Sequence, residues 1–330
     1  MVGIDIGSET IKVVELVAAG DEFKCTRRAV HEHAKQPAAA VTEILRTWEW
    51  DGVSLAAVTG RFGRVTTLAQ IPTREALACG FRHFGREPEA TVVSIGSRGF
   101  SVLEIRGASS AFRENSRCSQ GTGNFLRQLV ERFNLSIEEA AELAAGVSDP
   151  APLSGRCPVI LKTDMTHLAN KGEDRARILA GLFDAVAENV QALIRPRTSP
   201  RRVFLVGGVM RAGRVRESFR RFTERAGMEL ASVDGDALFL EALGSAIFAA
   251  KQRSAKPSLD NLLATFDRTN FERLPPLAQS LPRVRRLVAE PPLRSADEPS
   301  SYVMLGFDIG STGSKLVALD TTTRAPLWEG

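Results

Sequence analysis

Val2-Gly3-Ile4-Asp5-Ile6-Gly7-Ser8-Glu9-Thr10-Ile11-Lys12-Val13-Val14-Glu15-Leu16 is the stretch whose reading decides the fold. The apolar run Val2 to Ile6 reads as a buried strand. Gly7 and Ser8 break it, and Ile11 to Leu16 resumes as a second strand. A tight strand–turn–strand with glycine at the bend lets backbone N–H groups converge on an anion. Asp5 closes the first strand, where a carboxylate can hold Mg²⁺ through water. Lys12 follows the turn, placed to face a phosphate. Taken alone, the stretch also fits an ordinary hairpin with a solvated Asp and Lys.

The chain repeats the statement. Leu305 to Leu319 carries the order Gly-x-Asp-Ile-Gly-Ser-x-x-x-Lys again, Gly306 to Lys315 echoing Gly3 to Lys12. A hairpin needing only a turn does not require the same Asp, Ser and Lys at the same offsets. The pattern resembles the first phosphate loop of the actin/hexokinase/Hsp70-like ATPases. That resemblance implies an α/β chain with an actin-like ATPase (ribonuclease H-like) fold: two lobes, duplicated mixed sheets and a cleft between them. It implies ATP and Mg²⁺ in the cleft, Asp5 and Lys12 as catalytic residues, and Gly7, Ser8, Glu9 and Thr10 around the phosphates. It leaves the reaction open.

With 330 residues the chain can form one large or two medium domains. Its 43% hydrophobic and 25% charged residues are those of a globular protein. No apolar run approaches ~20 residues, so no membrane span is expected. The N-terminus enters a strand at once, without a signal-peptide order, and the chain is read as cytoplasmic. The net charge of +4 is modest and the arginines are scattered or lie in one linker, so no nucleic-acid partner is expected. The four cysteines, Cys25, Cys79, Cys118 and Cys157, form no CxxC pair. In a reducing compartment a disulfide framework is not expected. Each is by default a small buried hydrophobe.

In chain order, Glu22 to Ala29 reads as a third strand, Ala38 to Trp48 as a helix and Leu55 to Thr59 as a short buried strand ending at Gly60. Thr73 to Phe84 reads as a helix with Thr73 as N-cap. The second half restarts in the same way: strand Ala90 to Ile95, turn Gly96-Ser97-Arg98-Gly99, strand Phe100 to Ile105, and Ser109 to Glu114 continuing the meander. Gly96, Ser97 and Arg98 are the candidate contacts of a second phosphate hairpin. Gly121-Thr122-Gly123 opens a helix running to about Phe133, and exposes its first N–H groups. Ser136 caps the next helix, with Glu138 and Glu139 in its first turn. Cys157 lies in a loop between two helical regions, and a long helix spans Gly172 to Arg195. Strand Arg202 to Val206 feeds Gly207, Gly208 and Val209, which suits close approach of a base and ribose, then a helix from Ala212 to Arg225. Asp236 caps a last helix reaching Lys251. Gly244 within it marks close packing or ligand approach.

The first domain is therefore read as residues 1–253, with lobes of about 1–85 and 86–253. Residues 254–301 hold seven of the 16 prolines and many arginines, and read as a linker with a short helix near Leu259 to Phe266. Residues 302–330 begin a second, truncated copy. Two strands alone cannot bury their own face. The chain is thus read as a piece of a longer tandem protein, with docking on another sheet as the alternative.

The glycine and cysteine order adds a sharper likeness. Arg-Cys118-x-x-Gly121-Thr-Gly123, the Ser-x-x-Cys157-x-Val loop, Gly-Gly-Val at 207–209 and Ala-Leu-Gly at 242–244 follow one another. Together they resemble the activator ATPases of 2-hydroxyacyl-CoA dehydratases and their benzoyl-CoA reductase relatives, the BadF/BadG/BcrA/BcrD type. The likeness covers about residues 2 to 250 and again 303 to 330. It implies that Cys118 and Cys157 ligate one [4Fe-4S] cluster shared across a homodimer, or across a tandem-copy pseudo-dimer. It implies an acyl-CoA dehydratase or reductase as partner, and ATP-driven reorientation of the cluster helices. Four thiolates are the usual complement of such a cluster, and each chain offers two in suitable settings.

This sequence departs from the family pattern. Ser94 stands where a carboxylate is usual before the second turn, and Gly99 replaces another acidic position. The segment Ile160 to Asp164 keeps only Asp164 of the usual pattern. A weakened first copy beside an intact Asp308 in the second is the expectation drawn from this. An actin-like pilus-assembly scaffold and a sugar-kinase-like phosphotransferase are the competing readings. The first leaves Cys118 and Gly121-Thr-Gly123 unexplained, and the second needs an Asp at position 94.

Overall fold

The computed structural model describes residues 1–20, 22–84, 87–97, 99–114, 123–153, 157–231, 237–264, 279, 281–284, 302–310, 313–324 and 326–329. The chain divides into two compact units, residues 1–265 and 266–330.

The first unit holds two sheets of the same design. In the first, β1 (Val2–Ile6) runs antiparallel to β2 (Thr10–Ala19), and β2 antiparallel to β3 (Glu22–Glu32). On its other side β1 pairs in parallel with β4 (Ala56–Thr59), which pairs with β5 (Ala69–Gln70). In the second, β6 (Glu89–Ile95), β7 (Phe100–Arg106) and β8 (Ser109–Glu114) form the antiparallel meander. β9 (Arg202–Val206) and β10 (Glu229–Ala231) add the parallel strands. The orders β3-β2-β1-β4-β5 and β8-β7-β6-β9-β10 correspond element for element. This is the duplicated mixed α/β sheet that the repeated strand–turn–strand pattern predicts. All five residues of β1 are buried, as befits a central strand covered on both faces.

The helices cover these sheets. α1 (Pro37–Thr47) packs on the first, and α2 (Thr73–Phe84) and α8 (Leu240–Gln252) lie between the two. One buried cluster joins Val14 and Leu16 of β2, Leu77 and Phe81 of α2, Val92 and Phe204 of the second sheet, and Leu243 and Ile247 of α8. The lobes therefore share a core. The close fit depends on missing side chains. A Cβ on Gly244 would fall 1.8 Å from the Ala76 carbonyl oxygen, and one on Gly3 would fall 2.0 Å from that of Ala242. α3 (Gly123–Val130), α4 (Ile137–Ala145), α5 (Pro158–Asn170), α6 (Arg175–Gln191) and α7 (Gly213–Arg225) belong to the second lobe. Arg214 of α7 is buried and forks onto Asp184 of α6, with Nε–Oδ1 2.8 Å and Nη2–Oδ2 2.5 Å.

Several local expectations change. Ser136 does cap α4, in a full capping box with Glu139. Thr73 is the first residue inside α2 rather than its cap, because the Pro72 carbonyl accepts from Ala76 N. β3 runs three residues further, to Glu32. Gly172 lies outside α6, which starts at Arg175 behind an Asp174 N-cap and ends at Gln191. Asp236 lies outside the described residues, and α8 begins at Leu240 with Phe239 in the cap position. Residues 254–264, read as the start of the linker, pack on the first lobe. Trp50 Nε1 donates to the Pro257 carbonyl at 2.9 Å, Leu262 is fully buried, and the helical turn there is a short 3₁₀ at Leu259–Asn261.

The second unit contains β11 (Val303–Ile309), β12 (Ser314–Asp320) and β13 (Pro326–Glu329) in one antiparallel sheet. Its Asp308↔Lys315 register reproduces Asp5↔Lys12 of the first unit. Among the described residues, no helix is long and apolar enough to cross a membrane.

Candidate functional site

The first hairpin is the turn between β1 and β2. Gly7 N donates to Thr10 O at 2.9 Å and closes it. Asp5 and Lys12 face each other in register, and Lys12 Nζ bonds Asp5 Oδ2 at 2.7 Å with Asp5 only 5% exposed. Burial pushes the Lys12 ammonium down, but the Asp5 and Glu241 carboxylates outweigh it and hold it above its ordinary value. Lys12 therefore remains a cation in the site. Gly60, at φ +92°, crosses directly over Asp5: a Cβ there would sit 2.4 Å from Asp5 Oδ1. Only glycine fits that backbone and that gap. Ser8 is part of the turn. Glu9 instead turns sideways, pairing with Lys35 and lying 3.8 Å from Arg127 of α3. His33, just past the end of the unexpectedly long β3, was not singled out from sequence. Its Nε2 lies 3.3 Å from Gly7 O, and its backbone N–H donates to Glu9 O at 3.1 Å.

The second hairpin joins β6 to β7. Gly96 N donates to Gly99 O at 2.8 Å, the counterpart of the Gly7–Thr10 closure. Arg98 lies outside the described residues. Gly123 N donates to Gly96 O at 2.9 Å and Asn124 N to Ser97 O at 2.8 Å. The first N–H groups of α3 are therefore engaged by the hairpin rather than exposed, and the hairpin and α3 are tied together. Gly121 lies outside the described residues. Ser94 Oγ donates to Glu241 Oε1 at 3.2 Å. Glu241, in the first turn of α8, is a functional candidate that the sequence reading missed. Burial and the Asp5 carboxylate push it above the usual carboxylate range, against Lys12, its own backbone N–H and Ser94.

Past β9 the chain turns at Gly207, at φ +87°, where a Cβ would fall 2.5 Å from the Ile95 carbonyl oxygen. Gly208 follows with open space beside it, and Val209 packs against Gly123 at the start of α3. The Gly207-Gly208-Val209 turn thus lies beside the second hairpin. Gly244 has Ala76 of α2 as its tight neighbour, so close packing is sufficient reason for it.

The two thiols expected to meet do not both fall within the described residues. Cys118 lies outside them. Cys157 is half-buried and is the N-cap residue of α5, its carbonyl accepting from Leu161 N at 2.9 Å. The loop expected there is thus the start of a helix. Cys79 lines a cavity of about 720 Å³ with Arg74, Arg82, Phe112 and Lys251, away from both hairpins. Burial pushes its thiol up, more than Lys251 and Arg82 lower it. Cys25 lies on β3. Among the described residues no three His, Cys, Asp or Glu groups converge on a metal. Mg²⁺ asks for less: one or two carboxylates, with phosphate oxygens and water completing the octahedron. Asp5, with Glu241 and the Ser94 hydroxyl nearby, fits that donor set.

A profile of the BadF/BadG/BcrA/BcrD ATPase family matches residues 2–249. The chain belongs to this family. The (R)-2-hydroxyglutaryl-CoA dehydratase activating ATPase of Acidaminococcus fermentans is 26% identical over 257 residues, covering 76% of this chain and 96% of the relative. The crystal structure of the Acidaminococcus fermentans (R)-2-hydroxyglutaryl-CoA dehydratase component A matches with a TM-score of 0.66 at 24% identity, over 76% of this chain and 97% of that one. A component of the benzoyl-CoA reductase of Thauera aromatica is 27% identical over 214 residues, 58% of this chain and 72% of its own length. The Clostridium difficile activator of 2-hydroxyisocaproyl-CoA dehydratase, solved with bound ADPNP, gives a TM-score of 0.64 at 22% identity, over 78% of this chain and 98% of that one. These solved structures share the two-lobed actin-like fold. As a BadF/BadG/BcrA/BcrD ATPase, the chain has ATP as its nucleotide.

Proposed function

We propose that this BadF/BadG/BcrA/BcrD ATPase is an ATP-driven electron-transfer activator of an acyl-CoA dehydratase or reductase. The observation that carries the reading is the pair of like-built phosphate hairpins, the second bonded directly to the start of α3. Cys118 precedes that helix by five residues in sequence, and a change at the hairpin would reach the helix through Gly123 and Asn124. Cys157 sits at the N-terminus of α5, as its N-cap residue. Two thiolates from each of two copies would hold a [4Fe-4S] cluster, which supplies one-electron chemistry when bound. The second copy would come from a homodimer or from a tandem domain carrying the hairpin of residues 303–320. The latter is supported by exposure: Leu305, Phe307 and Ile309 are 56%, 67% and 82% exposed, while their counterparts Val2, Ile4 and Ile6 are fully buried.

Asp5 would position the Mg²⁺ of ATP. Asp5→Asn keeps the shape and removes the charge. It is expected to weaken Mg·ATP binding about 10- to 100-fold in a calorimetric titration of the full chain, with ATP alone much less affected. Equal Mg·ATP affinity in Asp5→Asn and wild type would reject this role.

A further inference from the structure

The two hairpins are built alike, and one of the positions at which they differ stands two residues before the turn glycine. Asp5 stands two residues before Gly7 and pairs in register with Lys12. Ser94 stands two residues before Gly96 and pairs in register with Ser101. Internal symmetry thus makes Ser94 the counterpart of Asp5. A hydroxyl is a neutral and weaker cation donor than a carboxylate.

Ser94 does not stand alone. Its hydroxyl donates to Glu241 Oε1 at 3.2 Å. Glu241 is 8% exposed, and both Asp5 and Lys12 act on it electrostatically. An acid in a first helical turn is ordinarily a solvent-facing partner of the helix dipole; burial makes this one unusual. The position of α8 is fixed, because Gly3 lets it press on β1 and Gly244 lets it press on α2. Glu241 is therefore held beside Ser94. The local charge does not balance either. Lys12 bonds Asp5, while the hydrogen-bond partner of Glu241 is the neutral Ser94 hydroxyl, so two buried acids stand beside one lysine. A cation arriving with a nucleotide would balance them.

We propose that Glu241 is the second carboxylate of the cleft, gripping the divalent cation of ATP opposite Asp5 in place of an acid at position 94. The inference rests on the reading of the cleft as an ATP site. The first copy would then be a rewired nucleotide site, with its acid supplied by a helix instead of a strand.

The test is titration of the full chain with ATP, with and without Mg²⁺, and with Mn²⁺·ATP followed by electron paramagnetic resonance. Glu241→Gln is expected to leave metal-free ATP affinity within about two-fold and to weaken Mg·ATP and Mn·ATP about 10- to 100-fold. Moving the acid back, in the double variant Glu241→Gln with Ser94→Asp, is expected to restore most of that loss. Thermal melting of each variant shows that it is folded. A folded Glu241→Gln that binds Mn·ATP like wild type overturns the inference, as does a folded double variant with no recovery. Wild type that binds no ATP under either condition fails earlier, removing the nucleotide reading and the inference together.

Discussion

Gly244→Ala is expected to destabilise the protein by about 3 kcal/mol or more. In an ordinary helix the same change stabilises by about 1 kcal/mol, since alanine is the better helix former. Here the sign reverses. The new Cβ would lie 1.8 Å from the Ala76 carbonyl oxygen and 2.9 Å from its Cα, so rigid backbone must move. Because α8 also lies on β1 through Gly3, displacing it disturbs the central strand that carries Asp5. Gly213→Ala, in the first turn of α7 with open space around it, is the matched control. It is expected to be neutral or stabilising by up to about 1 kcal/mol. Midpoints of chemical denaturation measure both. A Gly244→Ala midpoint at or above wild type would mean that α2 and α8 are not packed through bare backbone.

Cys157→Ser and Cys118→Ser are each expected to lower bound iron to less than about a tenth of the wild-type amount, because a four-thiolate cluster loses a ligand from each contributing copy. Cys79→Ser is expected to leave iron unchanged. Its thiol is partly buried beside α8, where burial opposes the thiolate that a metal requires. Iron and sulfide assays on anaerobically prepared variants read the difference. Full iron content in Cys157→Ser would remove that residue from the cluster.

The two strand–turn–strand hairpins were legible because their pattern is written locally and written twice. Strand period, turn glycine, Asp and Lys all fall within about ten residues, and the register Asp5↔Lys12 follows from the turn. The capping box at Ser136 was legible for the same reason. Glu241 was not. It stands in Leu240-Glu-Ala-Leu-Gly244, an apolar run that reads as core, and its meaning depends on Ser94, 147 positions away. His33 was hidden in the same way, being a strand-end residue whose partner Gly7 lies across the sheet. α5 escaped because Cys157-Pro158 read as a stiff loop. Proline at the first helical position is also a helix start, since its missing N–H is one of those left unbonded there. Residues 254–264 read as linker by composition, yet Trp50 and Thr66 tie them to the first lobe through contacts that composition does not encode. The sugar-kinase reading needed an Asp at position 94. A serine stands there, and the family match favours neither that reading nor the scaffold reading.

Iron and acid-labile sulfide on the anaerobically purified full chain test the electron-transfer proposal most directly. Brown protein with about four irons and four sulfides for every two cysteine-bearing domains is the expected result. Colourless protein that binds Mg·ATP but takes up no iron or sulfide on anaerobic reconstitution would contradict it.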